Sequence, residues 1–259
     1  LPDKISLPMT IIAAFTFLNF FFILKLYMIF ENELIAGVLI KRYKRFFVDI
    51  KYKNKTITAH CPNTGSMKGL LDVNNKVWFS KSDDPNRKLK YTVQIIEVNK
   101  KLVGVNTHLT NKIVLESLKE KKIKCLNRFN NIKTEVKYSD KTRFDFLISN
   151  NNEKCFLEVK NVTLSRENNI AEFPDAITSR GTKHLNELIN AKKKGYESYI
   201  LYLIQREDCK FFKIAKDIDE EYKNTFDTAL KNGVEILCYD CKLSDEEIKI
   251  NNQIYYEKW

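Results

Sequence analysis

Glycine, proline and histidine are scarce in this chain of 259 residues, which contains seven, five and three of them. So little glycine and proline excludes a collagen-like, elastic or low-complexity protein. Of the six cysteines only Cys238 and Cys241 lie close together, and no second close pair supplies the remaining ligands of a structural zinc site. We therefore expect reduced, mostly buried thiols in a cytoplasmic protein.

The charge of the chain is unevenly distributed along its length. Hydrophobic residues make up 44% and charged residues 30%, which excludes a disordered protein, and the net charge is +11. Residues 1–110 carry 17 Lys and Arg against 8 Asp and Glu, whereas residues 111–259 carry 27 against 25. An excess of positive charge that is confined to the first half of the chain favours a nucleic-acid partner. Codon bias is the alternative, because Lys outnumbers Arg by 36 to 8.

The first 27 residues form a hydrophobic leader with three interpretations. Residues 7–24 carry no charge, a length at the lower limit for crossing a bilayer. The basic residues at 41–45 would then keep the body of the protein cytoplasmic. A signal peptide fits poorly, because Asp3 weakens its basic start and no A-x-A cleavage site follows. We favour the interpretation that the leader is a translation of DNA upstream of the gene and that the protein starts at Met28. We expect contact with a membrane only if residues 7–24 truly span it.

Residues 28–110 are predicted to form a small β-barrel. Apolar and polar residues alternate in short runs, as in half-buried strands. Five such runs in about 75 residues indicate an oligonucleotide-binding (OB)-like barrel, which has five strands. The runs are residues 45–53, 56–60, 76–80, 91–99 and 102–107.

Basic and aromatic residues are interleaved in two segments of this domain. Cations that bind phosphate beside rings that stack on bases are typical of a nucleic-acid groove, although an ordinary strand with a solvated basic face is the alternative. His60 and Asn63 either line the mouth of the barrel or hold a turn. The predicted DNA-binding residues here are Lys41, Arg42, Tyr43, Lys44, Arg45, Arg87, Lys88 and Lys90.

Residues 111–259 are predicted to form a compact α/β domain. The continuous apolar run at 199–204 indicates a strand buried on both faces. Around it we expect helices and strands in an order that excludes a repeat or a bundle. The helices are predicted at 111–121, 175–194 and 220–232, and the other strands at 134–138, 143–149, 155–162 and 234–239.

Two strands of this domain carry the candidate chemistry. Asp145 interrupts the apolar run 143–148, and Glu158 and Lys160 share one face of the next strand. A hairpin would bring the three together, and two carboxylates make a hard-oxygen site for Mg²⁺ or Mn²⁺. Such a metal could activate water against a phosphodiester, with Lys160 stabilising charge. The alternative is a cross-strand surface ion pair between Glu158 and Lys160.

The sequence resembles a known family at these and other motifs. Asp145 with Glu158-Val-Lys160 is similar to the D…(D/E)xK signature of restriction-endonuclease-like nucleases. A longer set of motifs resembles the sugar fermentation stimulation protein A family between about Met28 and Ile250. They are residues 41–46 (KRYKRF), 59–65 (AHCPNTG), 104–107 (GVNT), 158–164 (EVKNVTL), 173–176 (FPDA) and 180–185 (RGTKHL).

The resemblance implies a fold, a partner and roles for residues. It implies an N-terminal OB-like domain, a C-terminal PD-(D/E)XK nuclease-like domain and DNA binding, with a start near Met28. Asp145 and Glu158 would bind the metal, Lys160 would be the catalytic lysine, and Glu116 is the acid best placed on the first helix to join them. On a later helix Arg180, Lys183, His184 and Glu187 share one face. We expect the first three to reach the DNA backbone or the scissile phosphate, although an ordinary solvated helix face is the alternative.

Two functions follow as expectations. The first is a cytoplasmic DNA-binding protein whose second domain hydrolyses phosphodiesters with Mg²⁺ or Mn²⁺. The second is a DNA-binding regulator, of sugar-metabolism genes, that retains the nuclease fold without cutting. Neither hypothesis requires an obligatory protein partner.

Overall fold

The computed structural model describes residues 30, 32–140 and 142–256 of the chain. The predictions about the leader, residues 1–27, lie outside this range. Within the described range, no helix is long and apolar enough to cross a bilayer. Five of the six cysteines are buried, and all six are free thiols.

The first domain is a closed barrel. Its strands are β1 (Ile35–Tyr43), β2 (Phe47–Tyr52), β3 (Lys55–His60), β4 (Lys76–Lys81), β5 (Tyr91–Val98) and β6 (Lys101–Gly104). They lie in the order β3-β2-β1-β4-β5-β6, and a parallel pairing of β3 with β5 closes β1 to β5 into a five-stranded barrel. The predicted barrel is therefore confirmed.

The five strands that close the barrel are not the five predicted ones, because one strand is exchanged for another. The predicted set omitted β1 and counted β6, which instead extends the sheet beyond β5. Strand β1 pairs with both β2 and β4, and most of its residues are half-buried. Because neither face of such a strand is fully solvated, its sequence shows little alternation.

The second domain is built from ten strands and three α-helices among the described residues. The strands are β7 (Asn131–Ser139), β8 (Thr142–Ser149), β9 (Lys154–Val162), β10 (Leu164–Glu167), β11 (Ile170–Phe173), β12 (Glu197–Ile204), β13 (Phe211–Ile214), β14 (Glu235–Leu243), β15 (Ile248–Gln253) and β16 (Tyr255–Tyr256). The helices are α1 (Thr110–Lys119), α2 (Ser179–Lys193) and α3 (Glu220–Lys231), with 3₁₀ turns at Thr107–Leu109 and Lys124–Leu126.

A six-stranded mixed sheet forms the centre of this domain. Its order is β15-β14-β12-β9-β8-β7, with β9, β12 and β14 parallel and the outer strands antiparallel. Strand β12 is buried along almost its whole length, as the apolar run predicted. Helix α1 packs on one face through Ile113, Val114 and Leu118, and α2 and α3 pack on the other face. The sheet is therefore covered on both sides.

Three features of this domain differ from the prediction. Strand β15, at the edge of the central sheet, was not predicted, since Ile248 and Ile250 are its only apolar residues. Strands β10, β11, β13 and β16 form a second, four-stranded sheet that was not predicted, because runs of two to four residues are too short to show periodicity. Helix α2 begins at Ser179 and not at residue 175. The Thr178 side chain accepts a hydrogen bond from the Gly181 amide at 3.1 Å and caps the helix there.

The two domains meet at a loop of the barrel. Residues 63–67, which follow β3, contact the segment between β11 and α2. The Asp175 carboxylate accepts hydrogen bonds from Ser66 Oγ and the Met67 amide, both at 3.3 Å. A Cβ at Gly65 would collide with that carboxylate. Glycine at this position therefore permits the close approach of the domains.

Candidate active site

The hairpin of β8 and β9 brings three charged residues together. Phe146 pairs with Leu157, so the same register places Asp145 opposite Glu158 one step further along the strands. Asp145, Glu158 and Lys160 all line one cavity of about 440 Å³ between the barrel loop and the second domain. We call it the central cavity.

Glu158 is a buried carboxylate with one oxygen unused. The residue is 2% exposed. Its Oε1 accepts a hydrogen bond from Lys160 Nζ at 2.6 Å and contacts His184 Nδ1, whereas Oε2 has no hydrogen-bond partner among the described residues. Burial alone would raise the pKa of Glu158, but Lys160 and His184 outweigh it and hold the pKa below the usual value. The ion pair with Lys160 is therefore real, but it lies inside the protein and not on its surface.

Asp145 is held by two donors. Its Oδ1 accepts a hydrogen bond from Asn111 Nδ2 and its Oδ2 from the Val159 amide, both at 2.7 Å. Burial, and next the neighbouring charge of Glu158, raise the pKa of Asp145 to about 6 despite these donors. Two carboxylates that destabilise each other's charge at close range are typical of a site that a cation would neutralise.

The donor set fits a hard divalent cation that retains several waters. The unpartnered Oε2 of Glu158 and the carboxylate of Asp145 are oxygen ligands of the type that Mg²⁺ and Mn²⁺ prefer. The described residues contain no group of three or more His, Cys, Asp or Glu side chains placed to hold one ion. The remaining ligands would therefore be water, backbone carbonyls or substrate.

Glu116, the expected third acid, does not join this pair. It is half-buried on α1 and does not line the central cavity. The residue of α1 that contacts Asp145 is Asn111, and a position five residues later lies about 140° further round the helix axis. Helix α1 thus contributes an amide to the site and not a carboxylate.

The raised pKa of Asp145 predicts opposite pH trends with and without metal. An aspartate whose pKa is higher in the folded state stabilises the fold below pH 4 and loses that contribution as pH rises through about 6. A cation held by Asp145 would require the charged form of this carboxylate, so stabilisation by such a cation would fall as pH drops through the same range. We expect the rise in melting temperature caused by Mn²⁺ to be large at pH 7.5 and nearly lost at pH 5. In EDTA the wild type should gain stability at low pH from the protonation of Asp145, and the Asp145→Asn variant should lack this gain.

The predicted residues of α2 divide into buried and surface positions. His184 is 5% exposed and lies between Glu158 and the ring of Phe144, so it supports the carboxylate, and it also lines a neighbouring cleft. Arg180 lines both the central cavity and this neighbouring cleft, which has a volume of about 810 Å³. We call this the basic cleft; it is also lined by Lys137, Arg143 and Lys183, and Asp140 is the one acid that lines it among the described residues.

The half-buried Arg42 holds a loop of the barrel. Its guanidinium donates to four backbone carbonyls, those of Arg45, Asn63, Gly65 and Ser66, at 2.7 to 3.2 Å. Its donors are therefore used to hold the loop that lines the central cavity. Asn63 likewise holds this turn, since its Oδ1 accepts from the Gly65 amide at 2.8 Å.

Other barrel residues that were predicted to bind DNA lie on the outside of the barrel. Lys44 and Arg45 occupy the tip of the β1–β2 hairpin, both with positive φ, and both are exposed together with Phe46. Lys41 and Lys88 are also exposed. Tyr43 donates to Asp49 at 3.2 Å, and Lys90 donates to the carbonyls of Asp84 and Pro85 at 2.8 and 2.9 Å, so those two side chains brace the fold.

Asn111 is the residue of the site that the sequence did not reveal. Its amide nitrogen lies 2.7 Å from Asp145 Oδ1 and 3.4 Å from Glu135 Oε1. No spacing rule connects the start of one helix with a strand 34 residues later, and Asn in a helix is common. Only the packing of α1 against the sheet shows its role.

The comparisons with known proteins agree with the two-domain description. The chain matches the model of the SfsA N-terminal OB domain over residues 40–105 and that of the sugar fermentation stimulation protein RE domain over residues 108–247. The sugar fermentation stimulation protein homolog of Pelagibacter ubique is 57% identical over 225 residues, which cover 87% of this chain and 97% of that protein. The homolog of Caulobacter vibrioides is 41% identical and covers 88% and 97%.

A solved structure shares the fold. The structure of Pyrococcus furiosus SfsA in complex with Ca²⁺ superposes with a TM-score of 0.81 at 24% identity, covering 90% of this chain and 99% of that one. The likeness extends over both domains.

Proposed function

Because the chain belongs to the sugar fermentation stimulation protein family, we propose that it binds DNA and hydrolyses its phosphodiester bonds with a divalent metal in the central cavity. The observation that carries this proposal is the unpartnered oxygen of Glu158. A carboxylate that is 2% exposed is costly unless its lone pairs are satisfied. A cation between Glu158 and Asp145 would satisfy it.

The chemistry follows from the side chains around that position. Bound Mg²⁺ or Mn²⁺ would supply Lewis acidity and a water of lowered pKa. Lys160, 2.6 Å from Glu158 Oε1, places a positive charge at the same point and would stabilise the charge that develops on the phosphate oxygens. His184 and Asn111 hold the two carboxylates in position. Residues 63–65 of the barrel and 173–178 of the second domain form the walls.

The metal assignment has support from a relative. The Pyrococcus furiosus protein was solved with Ca²⁺, which, like Mg²⁺ and Mn²⁺, is a hard cation that takes oxygen ligands. In this chain Asp145 and Glu158 are the residues we assign to the same kind of ion.

The charges support DNA as the substrate. Arg180 connects the central cavity with the basic cleft, where four cations face one acid, Asp140. The exposed tip of the β1–β2 hairpin adds Lys44 and Arg45. Phosphate contacts of this type supply most of the affinity of sequence-independent DNA binding.

A cleavage assay with Asp145→Asn tests the proposal. Plasmid, linear duplex and single-stranded DNA would be incubated with wild-type protein and Mg²⁺ or Mn²⁺. We expect cutting that EDTA abolishes and that Asp145→Asn lowers by about 10³-fold or more, since the substitution removes a charged ligand of the metal. Asp145→Asn should also lose the melting-temperature rise that Mn²⁺ gives the wild type.

Asp227→Asn is the matched control. Asp227 lies on α3 in an ion pair with Lys223 and lines neither cavity, so the variant should cut and bind metal as the wild type does. Wild-type protein that binds DNA but cuts none of the substrates with either metal would contradict the hydrolytic proposal. That result would instead support the non-catalytic regulator.

A further inference from the structure

A second cavity lies where the barrel meets α1. Its volume is about 330 Å³, and its walls come from Phe30 and Asn32 before β1, from the end of β4 and the loop after it, from β5, and from α1 with the segment before it. It shares no lining residue with the central cavity. We call it the barrel–α1 cavity.

The charged side chains that line this cavity among the described residues are cations. They are Lys81, Arg87 and Lys112, which come from three different elements. Among the described residues none of the three forms an ion pair, although Asp83 and Asp84 follow in the loop next to Lys81. Three cations around one cavity create a positive potential, which attracts anions.

The floor of the cavity is polar and ordered. Thr92, Gln94 and Asn106 are each less than 8% exposed. Asn106 Nδ2 donates to Gln94 Oε1 at 2.7 Å, and Gln94 Nε2 donates to Ser80 Oγ at 2.9 Å. Arg87 Nη2 donates to Thr92 Oγ1 at 2.5 Å, so the guanidinium is fixed against this floor. Fixed donors and cations are the groups that hold a phosphate.

A line of aromatic rings leads from the surface to the same cavity. Phe46 is 38% exposed, and its ring centroid lies 6.3 Å from that of His60. The ring centroid of His60 lies 6.4 Å from that of His108. His108 lines the barrel–α1 cavity, and its neighbour Thr107 lines the central cavity. Burial, and next the charges of Arg87 and His108, lower the pKa of His60, so this ring is more often neutral and suited to stacking.

We propose that the barrel–α1 cavity binds a phosphate group of a single-stranded nucleic acid, whose bases stack along Phe46, His60 and His108. Lys81, Arg87 and Lys112 would contact the phosphate. Unpaired bases are required because a duplex does not expose the faces of its bases to such rings. The inference rests on the proposed function for its nucleic-acid partner, but it needs no metal and no cleavage.

Binding in EDTA tests this site separately from the central cavity. The full chain would be titrated with a labelled single strand of about 15 nucleotides and with a duplex of the same length. We expect the wild type to prefer the single strand. Arg87→Ala with Lys112→Ala should weaken single-strand binding about tenfold or more and reduce the slope of log affinity against log salt by about 1. Phe46→Ala should weaken single-strand binding about fivefold and leave the salt slope unchanged.

Two controls make the outcomes distinguishable. Lys210→Ala removes an exposed cation remote from both cavities and should bind as the wild type does. The titration contains EDTA and measures no cleavage, so binding that depends on Arg87 and Lys112 stands even if no DNA is cut. Equal binding of duplex and single strand would overturn the proposal. So would a wild-type affinity in the Arg87→Ala, Lys112→Ala variant, or an equal loss in Lys210→Ala.

Discussion

Lys160→Ala is expected to slow metal-dependent cleavage by about 10²- to 10³-fold while leaving divalent-cation binding intact. The lysine Nζ lies 2.6 Å from Glu158 Oε1, so it adds positive charge where the phosphate would become more negative. Its removal leaves both carboxylates in place and makes the site more negative, which favours a cation. Single-turnover cleavage rates, measured beside the melting-temperature rise given by Mn²⁺, separate the two effects.

Lys192→Ala is the matched control for this variant. Lys192 also forms an ion pair with a glutamate, Glu197, at 3.0 Å, but neither residue lines the central cavity. Its loss should change cleavage less than twofold, since partly exposed ion pairs contribute little. If Lys160→Ala loses the Mn²⁺ effect together with cleavage, Lys160 is a structural partner of Glu158 and does not act in the chemical step.

The hairpin of β8 and β9 could be predicted because its alternation of inward and outward residues is a local sequence pattern. Phe144, Phe146 and Ile148 lie on one face of β8, with Asp145 and Leu147 between them in sequence, and all three are 0 to 1% exposed. The same alternation places Asp145 on the other face, where the next strand presents Glu158. Two strands, one turn and a period of two residues are enough to specify this part of the site.

The partners of individual side chains could not be predicted in this way. Arg42 and Arg45 lie in one basic run, yet Arg42 donates to four carbonyls and Arg45 is exposed at a turn. The difference depends on where the loop at residues 63–66 folds back, which is a long-range contact. Asn111 is a similar case, because its partner Asp145 lies on a different element. Local pattern predicts which face a residue occupies but not what it meets there.

Gly65→Ala is expected to destabilise the protein by about 1–3 kcal/mol and to reduce cleavage. The added methyl group would collide with the Asp175 carboxylate, which would have to leave its hydrogen bonds to Ser66 and Met67. Gly65 is not among the glycines with positive φ, so alanine is compatible with its backbone conformation and the cost comes from the collision. Residues 63–65 line the central cavity, so their displacement would also change its shape. Urea unfolding and cleavage rates measure the two effects.

The Asp175→Ala background tests this cause. Removing the carboxylate removes the collision, so Gly65→Ala should cost little there, and the double variant should be about as stable as Asp175→Ala alone. Ser66→Ala, which deletes only one hydrogen bond to Asp175, should cost about 1 kcal/mol or less. An undiminished cost of Gly65→Ala in the Asp175→Ala background would show that the glycine serves the barrel loop itself. Loss of the cost would show that the close approach of Gly65 to Asp175 joins the two domains around the central cavity.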